Sequence, residues 1–138
     1  MFVGLGNDLI DIRRIQRVIE KYGKRFLNRI YTEQELHKAS SRISSSKLYM
    51  STLAKRFAAK EAAAKALGTG FRDGVYWKDI GVLNLPSGKP TIKMKGGAEK
   101  KLHSLIPYKY FPLIELTMTD EYPYAEAFVI INAVFKDN

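Results

Sequence analysis

Apolar residues recur along the chain at two spacings, one suited to strands and one to helices. The opening segment Phe2–Asp8 begins with apolar residues and has two glycines where the backbone must bend or approach a neighbour, which predicts a strand. Asp11 is suited to cap a following helix and Gly23 to end it. Within that helix the apolar residues fall at helical spacing: Ile12, Ile15, Ile19 and Tyr22.

Two further helices are predicted in the first half of the chain. Thr32–Glu35 has the pattern of a capping box and should start a short helix. The serine-rich stretch Ser40–Ser51 has few apolar residues at its start and is predicted to be a loop or mobile segment. Arg56–Gly70 contains six alanines among other helix-favouring residues, and the helix should end at Gly68 as the C′ residue.

The second half of the chain favours strands. Asp79–Leu85 and Pro90–Lys95 are predicted strands joined by the turn Pro86–Lys89, and a short helix should follow from Gly97 to Leu105. Two more strands are expected, joined by a turn at Tyr122–Pro123: Leu113–Thr119 and Ala125–Phe135. This order predicts an α+β fold, in one domain spanning residues 1–138.

Composition narrows the class of protein. The chain has no cysteine, which excludes a disulfide framework and a thiolate metal site. No secretory signal pattern precedes the first apolar stretch, and no run approaches the ~20 apolar residues of a membrane span. We therefore expect a globular cytoplasmic protein that neither enters nor binds a membrane.

The net charge of +9 is concentrated near the N-terminus. Residues 13–29 contain seven basic side chains and one acidic one, so this segment carries +6 of the total. Such a surface is suited to an anionic partner, and both nucleic acid and an acidic protein helix fit it. No aromatic interleaving or nucleic-acid motif accompanies the charge.

The glycine pair Gly4 and Gly6 is not a nucleotide-binding fingerprint. A dinucleotide site needs G-x-G-x-x-G between strand and helix, and the third glycine is missing. No P-loop and no G-x-S-x-G elbow occur either. The two histidines, His37 and His103, lack metal-ligand spacing and are expected at the surface.

Asp8 follows the glycines, and three roles are considered for its side chain. Its carboxylate could cap a helix, pair with a cation, or bind a metal. Glu61 offers a second carboxylate, one helical turn after Phe57 and one before Lys65, on a helix whose alanines allow close packing. Two carboxylates with water and phosphate oxygens suit Mg²⁺, whereas Glu61 and Lys65 could equally form a solvated pair.

Two segments together resemble a known family. GLGNDLIDIRRI resembles the first signature of holo-acyl-carrier-protein synthases, which are small bacterial 4′-phosphopantetheinyl transferases. RFAAKEAAAKALGTG resembles their second signature, which is long and specific. Arg29–Leu36 and the turn Pro86–Pro90 also fit, so the resemblance covers nearly the whole chain.

The resemblance implies a reaction and its site residues. Such an enzyme moves 4′-phosphopantetheine from coenzyme A to a serine of an apo acyl carrier protein, releases 3′,5′-ADP, and serves fatty acid biosynthesis. Asp8 and Glu61 fall at the family's Mg²⁺-binding positions, and Lys65 would stabilise charge on the phosphates. The resemblance places the remaining coenzyme A contacts at Arg56, Lys60, Ser87, Gly88 and Lys89.

The resemblance also implies partners. The basic helix would dock the acidic carrier protein, with Arg14, Arg25 and Phe26 at matching positions, and the family forms homotrimers with sites between subunits. One position departs from the family, because Met118 stands where many members have a histidine, and no role transfers to it. Two alternatives stay open: a basic nucleic-acid-binding module, and a family member that binds the carrier protein without catalysis.

Overall fold

The computed structural model describes residues 1–137 and has the predicted α+β architecture. Five helices, five strands and one 3₁₀ turn follow one another along this part of the chain. In order they are β1 (Phe2–Asp11), α1 (Ile12–Tyr22), α2 (Lys24–Ile30), α3 (Glu33–Ser40), α4 (Ser46–Leu67), the 3₁₀ turn (Trp77–Asp79), β2 (Ile80–Asn84), β3 (Pro90–Met94), α5 (Gly96–Ser104), β4 (Tyr110–Glu121) and β5 (Tyr124–Phe135).

The strands form two antiparallel sheets. The larger has the order β1-β5-β4, and the smaller is the hairpin of β2 and β3. Helix α4 packs on one face of the larger sheet and contributes most of the buried alanines of the core. Alternate residues of β5, from Ala125 to Ala133, are buried on this side, as the two-residue period of a strand requires.

Strand β1 lies against α4 so closely that only glycine fits at two positions. A Cβ atom at Gly4 or Gly6 would overlap the backbone carbonyl of Ala66 or Ala62, respectively. The predicted close approach of these glycines is therefore confirmed, and the neighbour is the backbone of α4. Asp8, two residues beyond Gly6, falls on the same helix-facing side of the strand.

Most local signals acted as predicted. Asp11 caps α1 by accepting a hydrogen bond from the Arg13 amide at 2.9 Å, and Gly23, with φ of 59°, separates α1 from α2. Thr32 and Glu35 form the expected capping box of α3. Gly68 takes the left-handed conformation at the end of α4, and both histidines are exposed.

The prediction of a loop over Ser40–Ser51 is wrong in its second half. Helix α4 begins at Ser46, ten residues before the predicted start, because the Ser45 side chain accepts a hydrogen bond from the Leu48 amide and caps it. Inside the helix, the hydroxyl groups of Ser51 and Thr52 both donate hydrogen bonds to the backbone carbonyl of Leu48. Strand β1 is also longer than predicted, since it continues to Asp11.

Candidate functional site

Asp8, Glu61 and Lys65 come together where the end of β1 crosses α4. Lys65 Nζ donates to Asp8 Oδ1 at 3.0 Å and to the backbone carbonyl of Asn7 at 2.9 Å. The Asp8 side chain is 16% exposed and that of Lys65 is 51% exposed. The close approach of β1 and α4 thus places the first motif's carboxylate beside the second motif's cation.

Glu61 lies in the same electrostatic environment. Partial burial raises the pKa of its carboxyl group, and the negative charge of Asp8 raises it further. Lys65 and Arg14 act in the opposite direction and lower this pKa. The cluster therefore combines two carboxylates, one ammonium and the guanidinium of Arg14 from helix α1.

The two carboxylates fit a magnesium site in which the protein supplies few of the ligands. Asp8 and Glu61 come from different elements, and each gains from a nearby positive charge. Among residues 1–137, no group of three or more histidine, cysteine or acidic side chains gathers into a metal-binding cluster. Mg²⁺ is typically bound by one or two carboxylates together with water and substrate phosphates, so the donor set present here is suited to it.

Lys60 is placed differently from what the resemblance implies. Its ammonium is completely buried and pairs with Glu35 Oε1 at 2.7 Å. It also donates to the carbonyl oxygens of Ile80 at 2.6 Å and Trp77 at 3.2 Å. Its three protons are thereby used inside the protein, so in this structure Lys60 is not available to a phosphate.

Glu35 completes this buried network. Its carboxylate also accepts hydrogen bonds from the amides of Thr32 at 2.8 Å and Val82 at 2.7 Å. Burial lowers the pKa of Lys60, and the Glu35 carboxylate partly offsets that effect. The pair joins α3, α4 and β2 at the residue that directly precedes Glu61.

Arg56 is also buried, but it reaches the predicted turn. It donates to Asn84 Oδ1 at 3.2 Å, and the Asn84 side-chain amide donates to the carbonyl of Gly88 at 3.1 Å. Burial lowers the pKa of the Arg56 guanidinium. Its Nε is the one buried side-chain nitrogen or oxygen without a hydrogen-bond partner in the described part of the chain.

The turn between β2 and β3 carries Ser87, Gly88 and Lys89, and all three are exposed. Gly88 has φ of 90°, which glycine adopts without strain, and Lys89 Nζ pairs with Glu115 Oε2 at 2.8 Å. Lys89, Glu115 and Met118 line one surface pocket of about 460 Å³. Met118 itself packs against the core, which accounts for an apolar residue at this position.

Within residues 1–137, no hydrogen bond or ion pair joins this turn to the cluster of Asp8, Glu61 and Lys65. The structure therefore brings together the predicted metal ligands and Lys65. Arg56 lies with the turn, and Lys60 lies in the core.

The predicted docking residues lie on α1 and α2. Arg14 and Arg25 are exposed, while Phe26 is half-buried. Phe26 and Arg25 share a surface pocket of about 420 Å³ with three more residues of these helices, namely Val18, Tyr22 and Arg29. An apolar floor with basic edges is thus present on this surface.

Sequence reasoning did not identify Asn84 or the second role of Glu35. Asn84 lies two residues before Pro86, where the Pro86–Lys89 turn begins, and an amide at that position was the signal available. Glu35 was recognised only as a capping residue, because its contacts with Lys60 and Val82 are distant in sequence.

Comparison with known proteins gives a consistent result. The family model of the 4′-phosphopantetheinyl transferase superfamily matches residues 4–125. A holo-(acyl-carrier-protein) synthase of Bradyrhizobium sp. (strain BTAi1) is 56% identical over 134 residues, covering 97% of this chain and 96% of the relative. The corresponding protein of Nitrobacter hamburgensis is 54% identical over 138 residues, covering 100% of this chain and 99% of the relative.

Solved structures that resemble this chain come from the same family as the sequence relatives. The crystal structure of holo-(acyl-carrier-protein) synthase from Neisseria meningitidis superimposes with a TM-score of 0.80 at 36% identity, covering 96% of this chain and 99% of that one. A holo-(acyl-carrier-protein) synthase from Bacillus anthracis, solved in complex with coenzyme A (3′,5′-ADP), gives a TM-score of 0.74 at 32% identity. That match covers 97% of this chain and 98% of the other.

Proposed function

Because this chain belongs to the 4′-phosphopantetheinyl transferase superfamily, as one of its holo-acyl-carrier-protein synthases, we propose which reaction it catalyses and with which residues. It transfers 4′-phosphopantetheine from coenzyme A to a serine of apo acyl carrier protein, with Mg²⁺, in the cytoplasm and in the service of fatty acid biosynthesis. The observation that carries the proposal is the convergence of Asp8, Glu61 and Lys65 at the crossing of β1 and α4.

The bonds that change are those of phosphoryl transfer. The serine oxygen of the carrier forms a bond to the β-phosphorus of coenzyme A, and the bond from that phosphorus to the bridging oxygen breaks. The electron pair stays on the bridging oxygen, and 3′,5′-ADP leaves. Charge therefore grows on the pyrophosphate oxygens, where positive groups stabilise the transition state.

In this proposal Asp8 and Glu61 hold Mg²⁺. When bound, the metal supplies positive charge that neutralises the pyrophosphate oxygens. Lys65 is half-exposed beside Asp8, and the one ammonium proton that Asp8 and Asn7 leave unused is donated to the same phosphates. Glu61, whose pKa is raised by burial and by Asp8, is suited to take the serine proton at a carboxylate oxygen.

The turn formed by Ser87, Gly88 and Lys89 is proposed to bind the adenosine end of coenzyme A. Arg56 supports this turn from inside the protein, because its guanidinium donates to Asn84 Oδ1 and the Asn84 amide donates to the carbonyl of Gly88. Lys60 is assigned a structural role, since its ammonium is buried with three acceptors.

The carrier protein is proposed to dock on α1 and α2. Arg14 and Arg25 supply exposed positive charge, and Phe26 contributes to the apolar floor between them. Arg14 also acts on the pKa of Glu61, which means that the docking surface reaches the catalytic cluster. An acidic helix bound here would lie with its serine near Glu61.

We also propose a homotrimer. The face of the larger sheet that points away from α4 carries an apolar patch of exposed or half-buried residues, which include Leu5, Leu9, Phe111, Leu113 and Ile130. Such patches mark interaction surfaces. Light scattering after gel filtration should give three times the chain mass, and Leu113→Glu should lower it; a monomeric wild type would refute this part.

Intact-mass analysis tests the transfer itself. Apo acyl carrier protein is incubated with this protein, coenzyme A and Mg²⁺, beside a sample that contains EDTA. A metal-dependent gain of one phosphopantetheine arm is the expected result. No gain, with a folded protein and a carrier that another transferase can modify, would contradict the proposed reaction and leave carrier binding without catalysis.

Within residues 1–137, none of the helices combines the length and hydropathy that crossing a bilayer requires.

A further inference from the structure

Four aromatic rings form a continuous ladder between the docking surface and the loop that follows α4. Phe26 of α2 lies against Phe57 of α4 with ring centroids 6.4 Å apart. Phe57 stacks on Trp77 at 4.7 Å, and Trp77 stacks on Phe71 at 3.8 Å with an angle of 14° between the planes. Aromatic contacts of this kind stabilise a fold beyond the free energy gained from burial alone. The ladder therefore links α2, α4, the 3₁₀ turn and the loop after α4 through specific ring contacts.

Phe57 occupies the step at which the ladder crosses α4. It lies four residues before Glu61, so the two side chains project from the same face of the helix, one turn apart. Trp77, its stacking partner, is also held through its carbonyl oxygen, which accepts from Lys60 Nζ at 3.2 Å. The turn of α4 that leads to Glu61 is thus fixed by an aromatic contact and by a buried ammonium.

Phe26 faces both the partner surface and this helix. It lines the pocket on α1 and α2, where a docked protein would contact it. It also touches Phe57, and its edge meets Tyr31 with centroids 6.2 Å apart. A molecule in that pocket therefore lies two ring contacts from the turn of α4 that carries Glu61.

We infer that Phe57 is a positioning residue that sets Glu61 relative to the docked carrier protein. This inference rests on the proposed function. Phe57 is not among the residues that line the pocket on α1 and α2, but its ring contacts Phe26 and fixes the spacing between α2 and α4. A side chain of another shape would let the carrier bind while its serine and Glu61 are misaligned. Small displacements of this kind can cost about a hundredfold in rate.

The test compares Phe57→Leu with Phe71→Leu. Both variants remove one ring that stacks on Trp77, but only Phe57 bridges α2 and α4, which makes Phe71→Leu the matched control. Initial rates are measured against apo carrier protein and against coenzyme A, and the affinity for 3′,5′-ADP is measured by calorimetry. Thermal melts establish whether each variant is folded. If Phe57→Leu does not fold, Phe57→Met replaces it.

Phe57→Leu should lower kcat at least tenfold while KM for both substrates and the 3′,5′-ADP affinity stay within threefold of wild type. Phe71→Leu should leave all of these within threefold. The inference is overturned if the two variants behave alike, or if Phe57→Leu loses nucleotide affinity in proportion to its rate. Failure of the proposed function is a different outcome, since the wild-type protein would then transfer nothing.

Trp77 gives an independent readout, because it is the only tryptophan in the chain. Apo carrier protein added to the wild type should change its emission through Phe26 and Phe57, and the change should be absent in Phe57→Leu. An equal response in Phe57→Leu would contradict the connection, even if the kinetic result were as expected.

Discussion

Lys60 Nζ lies 2.7 Å from Glu35 Oε1, and neither side chain has any exposure to solvent. Two charges in the core are stable only because they pair with each other and four backbone groups surround them: two carbonyl acceptors for the ammonium and two amide donors for the carboxylate. The pair therefore locks α3 and β2 onto α4 directly beside Glu61.

Lys60→Met should destabilise the protein by about 3–5 kcal/mol, because it leaves the Glu35 carboxylate buried without its cation. Lys65→Met is the matched control: the same change on the same helix, at a half-exposed pair, should cost less than about 1 kcal/mol. Urea denaturation followed by Trp77 fluorescence measures both. Similar losses of unfolding free energy in the two variants would show that the buried pair stabilises the protein no more than the half-exposed pair does.

Gly6→Ala should destabilise the fold by at least about 3 kcal/mol, since the new Cβ would overlap the Ala62 carbonyl and push β1 away from α4. Gly81→Ala serves for comparison, because its Cβ would meet the Lys93 carbonyl at an ordinary 3.6 Å. That variant should stay within about 1 kcal/mol of wild type. If both alanines are tolerated equally in thermal or urea melts, the close approach is not required.

Asp8→Asn and Glu61→Gln should each lower metal-dependent transfer at least about a hundredfold, because each removes a charged group proposed to hold Mg²⁺ while keeping the side-chain shape. Both variants and the wild type should unfold cooperatively in thermal melts. Glu99→Gln changes an exposed carboxyl group on α5 in the same way and should transfer normally. Intact-mass time courses supply the rates, and normal turnover by Asp8→Asn or Glu61→Gln would remove that residue from the metal site.

Reversing charge at Arg14 and Arg25 should raise KM for the carrier protein about tenfold and weaken its dependence on salt, because both side chains are exposed on the proposed docking surface. KM for coenzyme A should stay within twofold. Lys100→Glu with Lys136→Glu makes the same change in net charge at exposed positions outside α1 and α2. An equal effect from that pair would attribute binding to overall charge and not to this surface.

Asp11 should titrate with a pKa of about 2, because the Arg13 guanidinium and amide donate to its carboxylate. A pKa lowered in the folded state stabilises the protein above the ordinary carboxyl range, and this contribution is lost as the pH falls from about 4 towards 2. Arg13→Gln should return the pKa towards its usual value of 3.8. Carbon-detected NMR titration of the side chain measures it, and an unchanged value in Arg13→Gln would contradict the assignment to Arg13.

Local signals in the sequence predicted the elements well where one residue acts on its own neighbours. Asp11, Gly23, Thr32 and Gly68 each act within one turn, so their residue types were sufficient. The start of α4 was missed because serines favour loops and caps alike, and only the partner of the Ser45 hydroxyl distinguishes the two.

The sequence was sufficient to name residues of the candidate site, but not to predict how they are arranged in space. Asp8 and Glu61 were identified as a possible metal pair, and the structure brings them to the same end of β1. Lys60 could not be placed, because α4 is lined with alanine on nearly every side and its pattern does not separate a buried face from an exposed one. Only the distant Glu35 and Ile80 show that this lysine lies inside.

The contact of Gly6 with α4 restricts how the sequence can diverge. A clash between two side chains can be relieved by a compensating substitution in the partner, but the atom facing Gly6 is the backbone carbonyl of Ala62, which every amino acid carries. No replacement on α4 can therefore make room for a larger residue at position 6. A lineage that lost this glycine would have to move the whole helix, and Glu61 and Lys65 would move away from Asp8 with it.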